Sequence, residues 1–213
     1  MQLPDGYFAA VYGAIRTGGG LAIADEVQVG CGRLGHRFWG FEQRSVRPDI
    51  VTVAKSIGNG HPIGAVITTR SIADHFRSQG HLFSSTGGSP ISSVIGSTVL
   101  DIICEERLQK NATTVGTHLK QRLEDLAIRY ELIGAVHGSG LYLGVEFVQN
   151  RETLEPARAQ TAAICNRLLE LGIIMQPTGD HRSVLKIKPL LCIGQASADF
   201  FADMLDRVLT KGW

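Results

Sequence analysis

Two residues of complementary chemistry, an acid and an amine, follow apolar stretches of the sequence at a spacing of 30 positions. Asp25 ends the stretch LAIAD (21–25), and Lys55 comes directly after DIVTVA (49–54). A lysine that is partly desolvated in a cleft can act as a nucleophilic amine and form an imine with an aldehyde. A carboxylate that stays ionised in such a place needs a cationic partner. The two residue types therefore indicate covalent chemistry on an aldehyde.

Each of these residues, taken alone, has a simpler interpretation. Asp25 could cap the turn that follows it, and Lys55 could extend from a strand end into solvent. Together they favour a site for pyridoxal phosphate, because the amine would hold the aldehyde of this cofactor and the acid would pair with its protonated pyridine nitrogen. The cysteines and histidines lack ligand spacing, so we predict no metal site.

The elements that position the pair read as a parallel sheet. Both apolar stretches are typical of buried parallel strands, whose carboxyl ends form the edge where open α/β sheets bind ligands. A third strand is predicted at GAVITT (64–69), followed by a short helix with Ser71 as its N-cap. Three strands are few for a sheet covered on both faces, so we expect this sheet to be incomplete.

The later part of the chain changes to a smaller α+β pattern. The expected fold class is α/β, with part of a large, mostly parallel domain at 1–108, a linking helix at 109–131 and a small α+β domain at 132–213. The individual predicted elements are helices over about 8–16, 91–106, 112–130, 157–171 and 196–209, two strands around a Gly turn in 132–147, and strands near 173–176 and 184–187.

Composition narrows the class of protein. The chain has 213 residues, of which 44% are apolar and 19% charged, values typical of a globular protein with a sizeable core. Its net charge is +1 and no basic stripe is visible, so we expect neither nucleic acid nor an acidic membrane surface as a partner. No signal peptide is expected, and four separated cysteines fit reduced thiols in a cytoplasmic protein.

Four motifs of the sequence resemble those of class III, fold-type I pyridoxal-phosphate aminotransferases, in the same order. IADEVQVGCGRLG (23–35) resembles the family's D-E-V-Q-x-G-x-G-R-x-G signature, and PDIVTVAKSIGNGHPIGAV (48–66) its lysine segment. SSTGGSP (84–90) is similar to the family's N-T-[FY]-G-G-N-P loop, and VHGSGLYLGVEF (136–147) to its R-G-x-G-L-x-x-G strand pair. The resemblance covers nearly the whole chain.

The resemblance implies roles for particular residues. Asp25 matches the partner of the pyridine nitrogen, and Val27 the apolar residue that packs on the ring face. Gln28 matches a residue near the ring hydroxyl, and Lys55 the Schiff-base lysine, which also moves the proton between substrate and cofactor. Glu26 matches a family position where we expect structural ion pairing, as does Arg33.

The resemblance also implies a shared active site. The family threonine that reaches the cofactor phosphate of the other subunit aligns with Ser85, and Thr86 stands one place further on. A homodimer is therefore expected.

Two reactions are open. The family implies transamination. In many members an arginine binds the substrate carboxylate, but Lys186 stands at that position here, and the two side chains are not equivalent at a bidentate site.

Three segments resemble phospho-lyases that act on ethanolamine phosphate and similar amino-alcohol phosphates: GNGHP (58–62), GDHRSVLKIKP (179–189) and FADMLDRVLT (201–210). Positive charge for a substrate phosphate could then come from His61, His181, Arg182, Lys186 and Lys188, although the last two could equally alternate on a solvated strand face.

A third interpretation is a truncated, inactive chain that only dimerises. The resemblance implies that the chain covers about the C-terminal half to two thirds of such an enzyme, without the family's phosphate-binding turn and ring-stacking aromatic residue. We therefore expect the chain alone to bind the cofactor poorly.

Overall fold

The computed structural model describes residues 4–213, which form two compact units. The front unit comprises residues 4–32 and 36–109, and the C-terminal unit comprises residues 33–35 and 110–213. The short strip 33–35 therefore belongs with residues that follow it by more than 70 positions in the sequence. The three-part division at 1–108, 109–131 and 132–213 stays a prediction.

The front unit is built around a three-stranded sheet in the order β1-β2-β3. The pair β1/β2 is parallel, with Ile23 opposite Ile50 and Asp25 opposite Thr52, and β2/β3 is antiparallel. Its elements are α1 (Tyr7–Thr17), β1 (Ile23–Asp25), β2 (Ile50–Val53), β3 (Ala65–Thr68), α2 (Arg70–Ser78) and α3 (Pro90–Glu105), with 3₁₀ turns at Gly40–Arg44 and Lys55–Ile57.

The core of the front unit is small. Ala24, Val51 and Val53 form its buried centre, with Trp39 and Phe41 packed against it. Within the unit, alternate residues of β1 are buried and exposed, and Ile23 is 59% exposed. Within the described residues β1 pairs with a strand, β2, along one edge only, as expected for an incomplete sheet.

Two serine or threonine hydroxyls cap the later helices of the front unit. The N-cap of α2 is Thr69, whose Oγ1 accepts a hydrogen bond from Ile72 N, so the prediction of Ser71 was wrong. Ser71 is the second residue of the helix, so its own N–H is among the unsatisfied amide groups that a cap residue before the helix serves. Ser89 caps α3, and Pro90 takes the first helical position, where a missing N–H costs nothing.

The C-terminal unit packs three helices on an antiparallel sheet in the order β4-β5-β8-β7, with β6 paired to β5. Alternate residues of β5 and β8 share one buried cluster with apolar residues of all three helices. Its elements are α4 (Leu108–Arg129), β4 (Ile133–Ser139), β5 (Tyr142–Asn150), β6 (Glu155–Pro156), α5 (Arg158–Glu170), β7 (Pro177–Thr178), β8 (Val184–Ile187) and α6 (Gln195–Lys211).

One predicted strand of this unit is wrong. Residues 173–176 form no ladder, and the strand in this region is the two-residue β7, Pro177–Thr178, which pairs with β8. Ile173 and Met175 pack against the core while Ile174 is 85% exposed, so the alternation in the sequence is real. Alternating burial alone does not supply the backbone pairing that defines a strand.

Backbone packs directly on backbone where the strip 33–35 meets the hairpin between β4 and β5. Leu141 N donates to Arg33 O at 2.9 Å, and Ser139 Oγ donates to Leu34 O at 3.0 Å. A Cβ on Gly116 of α4 would lie 2.2 Å from Gly140 O, so only glycine permits this approach. Strip, hairpin and helix are therefore fixed at one point of the C-terminal unit.

Polar side chains also join α4 to α6. His118 Nε2 lies 2.7 Å from Asp199 Oδ1, and Arg122 bridges Asp199 and Asp203 at 2.5 and 2.6 Å. About two helical turns further along α4, Arg129 Nη2 lies 2.8 Å from Asp206 Oδ2. We call this row the α4–α6 ion ladder.

In the described part of the chain, no helix combines the length and the apolarity that crossing a membrane requires.

Candidate active site

Asp25 and Lys55 lie at the same end of the parallel strand pair. Asp25 is the last residue of β1 and pairs with Thr52 on β2, and Lys55 comes three residues after Thr52. Glu26 N extends the ladder by donating to Thr52 O at 2.9 Å. Adjacent strands lie about 4.8 Å apart, so the fold brings both residues to the carboxyl edge of this sheet.

The carboxylate of Asp25 is partly used by its own loop. Oδ1 accepts a hydrogen bond from Val27 N at 3.0 Å, which is the turn-capping role considered for this residue. Within the described residues Oδ2 has no hydrogen-bond partner, and the side chain is exposed in the unit. Capping and binding are therefore compatible, because each uses a different oxygen atom.

Lys55 combines a strained backbone with an uncommitted amine. Its φ is +50°, in the left-handed region that non-glycine residues rarely adopt. Residues in such conformations cluster at functional sites, where the surrounding structure holds them in place. The ammonium makes no ion pair or hydrogen bond with any residue in the range 4–213. A nucleophilic amine requires this freedom.

The loop after Asp25 is organised by a buried carboxylate. Glu26 is 3% exposed, and its two oxygens accept hydrogen bonds from Gly40 N at 2.7 Å and Phe41 N at 2.9 Å. The expected ion pair of Glu26 is absent from the described residues, because backbone N–H groups satisfy the carboxylate instead. Arg33, in the other unit, donates to Leu141 O and Pro189 O.

Val27 and Gln28 follow in the turn that Asp25 and Glu26 fix at its start. Both are half-buried, and Gln28 has a partner of its own. Their assignments, to the ring face and near the ring hydroxyl, stay predictions.

The hydroxyl loop before α3 is exposed. Gly87 N donates to Ser84 Oγ at 2.9 Å, so Ser84 closes this turn. Ser85 and Thr86 are both exposed, and their hydroxyls have no partner among residues 4–213. Ser84 was not predicted from the sequence, because three adjacent hydroxyl residues do not show which of them accepts the hydrogen bond that closes the turn.

His61, considered for a substrate phosphate, has a partner within the front unit. Its Nε2 lies 2.8 Å from Ser92 Oγ on the first turn of α3. The sequence carries no signal for this pair, because the two residues are 31 positions apart and meet only through the tertiary fold.

The predicted substrate residues belong to the C-terminal unit. His181 and Arg182 are exposed in the turn before β8, and Arg182 adopts a φ of +52°. Lys186 is exposed on β8 opposite Gly144, and its ammonium has no ion-pair partner among the described residues. Lys188 is exposed too and has a partner of its own.

The sheet face that carries Lys186 also holds a pair that the sequence did not reveal. His137 Nε2 lies 2.8 Å from Glu146 Oε2. His137, Gly144 and Lys186 stand in one row across three strands, so their side-chain positions share one face.

Comparison with known proteins gives this arrangement its family. The family model described as aminotransferase class III matches residues 1–209. The chain belongs to the class III aminotransferases. It is 44% identical to alanine–glyoxylate aminotransferase 2 homolog 2 of Arabidopsis thaliana, over 99% of this chain and 44% of that protein. It is 39% identical to human alanine–glyoxylate aminotransferase 2, over 99% of this chain and 41% of that one.

Solved structures give the same answer for the fold. An Arthrobacter phospholyase in complex with phosphoethanolamine superposes with a TM-score of 0.96 at 38% identity, over 100% of this chain and 50% of that one. A transaminase from Virgibacillus superposes at 0.89 and 32% identity, over 98% and 49%. The fold is thus part of the fold-type I architecture, and the chain spans about half the length of these relatives.

The residues present fit pyridoxal phosphate, the cofactor of class III aminotransferases. Asp25 Oδ2 is available to a protonated ring nitrogen and Lys55 Nζ to an aldehyde, both at one sheet edge. The exposed hydroxyls of Ser85 and Thr86 suit a phosphate. The donor set therefore offers the ring nitrogen, the aldehyde and the phosphate of the cofactor a matching partner type.

Proposed function

We propose that this class III chain belongs to an aminotransferase that uses pyridoxal phosphate, with Lys55 as the amine that holds the cofactor. The observation that carries the proposal is the placement of Asp25 and Lys55 at one carboxyl edge, each with an uncommitted polar group. The cofactor, when bound, supplies an electron sink for the carbon next to the substrate nitrogen.

The chain's own residues have separate tasks in this proposal. Lys55 Nζ would take the proton from the substrate α-carbon and give it up again later in the transfer, because an amine released from the cofactor is a base. Asp25 keeps a negative charge at the ring nitrogen, and Val27 and Gln28 border the ring. Ser85 and Thr86 would bind phosphate across a homodimer interface, which the exposure of their loop supports.

A phospho-lyase reaction is the second candidate, and Lys186 favours it. The compact ammonium replaces the arginine fork that would hold a carboxylate, and it has no ion-pair partner within residues 4–213. The Arthrobacter neighbour was solved with phosphoethanolamine. An amino-alcohol phosphate is therefore the alternative substrate, with His181 and Arg182 as further sources of positive charge.

One pair of assays tests both candidates. The full-length protein that contains this chain is incubated with pyridoxal phosphate and either alanine plus glyoxylate or phosphoethanolamine, and pyruvate and inorganic phosphate are measured. Pyruvate alone supports transamination, and phosphate release supports the lyase. Neither product, together with no cofactor absorbance, would favour the inactive, dimerising chain.

Two variants test the residue roles. Lys55→Ala should abolish the product and the cofactor's imine absorbance. Asp25→Asn keeps the oxygen that accepts from Val27 N but removes the negative charge, so we expect about a 100-fold loss of activity with unchanged thermal stability. Full activity in either variant contradicts the assignment.

A further inference from the structure

The loop that follows Lys55 is attached to helix α3 at two points. His61 Nε2 and Ser92 Oγ are 2.8 Å apart, and both groups are partly buried. Further along the helix, a Cβ on Gly96 would lie 3.2 Å from Ile63 Cδ1, so the absence of a side chain there lets the loop approach. Gly96 is buried, in a helix whose neighbouring positions are mostly exposed within the unit.

These attachments bear on the strained backbone of Lys55. The first of the turn's own hydrogen bonds is long: Ile57 N donates to Ala54 O at 3.4 Å, whereas Gly58 N donates to Lys55 O at an ordinary 3.1 Å. The exposed Lys55 side chain contributes no bond of its own. A left-handed non-glycine residue persists only where surrounding contacts hold it. The contacts of the following loop with α3 can hold Lys55 in this conformation.

We propose that His61 is a positioning residue, whose hydrogen bond to Ser92 holds the loop against α3 and keeps Lys55 in its left-handed conformation. The inference rests on the proposed function for the significance of Lys55. A serine hydroxyl can donate to a neutral ring nitrogen or accept from a protonated one, so the bond does not depend on the charge of His61. This bond assigns His61 to the Lys55 loop, and a role for His61 toward a substrate phosphate stays a prediction.

Hydrogen exchange of the cofactor-free protein tests the positioning role. His61→Phe keeps an aromatic ring but removes the bond, and Ser92→Ala removes it from the helix side. A hydrogen bond of ordinary strength predicts about fivefold faster exchange of the amides of residues 57–61 and 63 in each variant. The double variant should exchange no faster than either single one. His61→Gln, whose amide can also bond to a hydroxyl, should restore part of the protection.

The control is His75→Phe, which makes the same replacement at an exposed position of α2. Exchange of residues 57–63 in His61→Phe and Ser92→Ala at the rate of this control would overturn the proposal. Two independent variants are used so that a folding defect of one, detected by circular dichroism, does not decide the result.

A second readout separates this inference from the proposed function. Pyridoxal phosphate followed by borohydride reduction labels reactive lysines, and mass spectrometry gives the fraction of Lys55 that is labelled. Labelling of Lys55 should fall about fivefold in Ser92→Ala and stay unchanged in His75→Phe. No labelling of Lys55 in the full-length protein that contains this chain would reject the proposed function, while the exchange data would still decide the role of His61.

Discussion

Glu26 holds the loop beside the candidate site through hydrogen bonds that water cannot replace. Its carboxylate is 3% exposed and accepts from two backbone N–H groups. Bonds to a charged group are stronger than neutral ones, and a buried donor left without a partner costs its full desolvation. The acid next to Asp25 in the sequence is thus a structural support for this candidate site residue.

Glu26→Ala should destabilise the front unit by about 2–4 kcal/mol, because Gly40 N and Phe41 N lose their acceptor. Urea unfolding followed by tryptophan fluorescence measures the change, because Trp39 precedes Gly40 and packs against the core of this unit, while Trp213, the second tryptophan, belongs to the C-terminal unit. Gln43→Ala, at an exposed position of the same 3₁₀ turn, is the control and should unfold as the parent does. Equal midpoints for both variants would contradict this role.

The residues of the candidate site differ in how far the sequence could reveal them. Asp25 and Lys55 stand out because each ends an apolar stretch, and strand order brings such ends together. His61–Ser92 and the buried state of Glu26 depend on where distant loops meet, which no local pattern contains. Candidate site residues at strand ends can be predicted from the sequence. The residues that hold their loops in place are found only in the tertiary structure.

At the scale of elements, the α4–α6 ion ladder links stability to pH. The hydrogen bond from His118 holds the pKa of Asp199 below its ordinary value, with a further contribution from Arg122. A carboxyl whose pKa is lower in the folded state stabilises the protein above its unfolded pKa of about 3.9. That contribution is lost as the pH falls below this value and through the folded pKa.

His118→Ala should therefore lower the free energy of unfolding at pH 6 and have a smaller effect at pH 3, which lies below the unfolded pKa of Asp199, so that part of this contribution is already lost. Urea unfolding at the two pH values measures this difference. Lys120→Ala removes a more distant pair, 3.7 Å from Glu124 within α4 itself, and serves as the control. The idea fails if the His118 variant loses equal stability at both pH values.

The elements of the C-terminal unit show what hydrophobic patterns can and cannot predict. The strand predicted at 184–187 is β8, because its alternating residues face core and solvent in turn. Residues 173–176 show the same alternation but lack a backbone partner, so the predicted strand was wrong. The long helices were found within a few residues because their apolar spacing persists over several turns.

For the whole molecule, the four cysteines divide by accessibility. Within residues 4–213 none of the four is part of a disulfide; Cys31 and Cys165 are buried, and Cys104 and Cys192 are exposed. Burial also raises the pKa of the Cys165 thiol, which lowers the fraction of reactive thiolate at neutral pH.

We expect two thiols per chain to react quickly with a disulfide reagent under native conditions, and four after denaturation. Absorbance of the released thiolate gives both numbers. Cys104→Ser and Cys192→Ser should each remove one fast equivalent, while Cys165→Ser should remove none. A fast equivalent lost with Cys165 would contradict the described burial.

The bonding of residues 33–35 to the β4–β5 hairpin has a consequence for biosynthesis. Ser139 and Leu34, which share a hydrogen bond, are separated by 105 residues. At a translation rate of about 5–20 residues per second, the strip waits at least several seconds for the hairpin to be made. The C-terminal unit therefore cannot close during the synthesis of the front unit, and chaperones that shield exposed strands would act on the nascent chain in this interval.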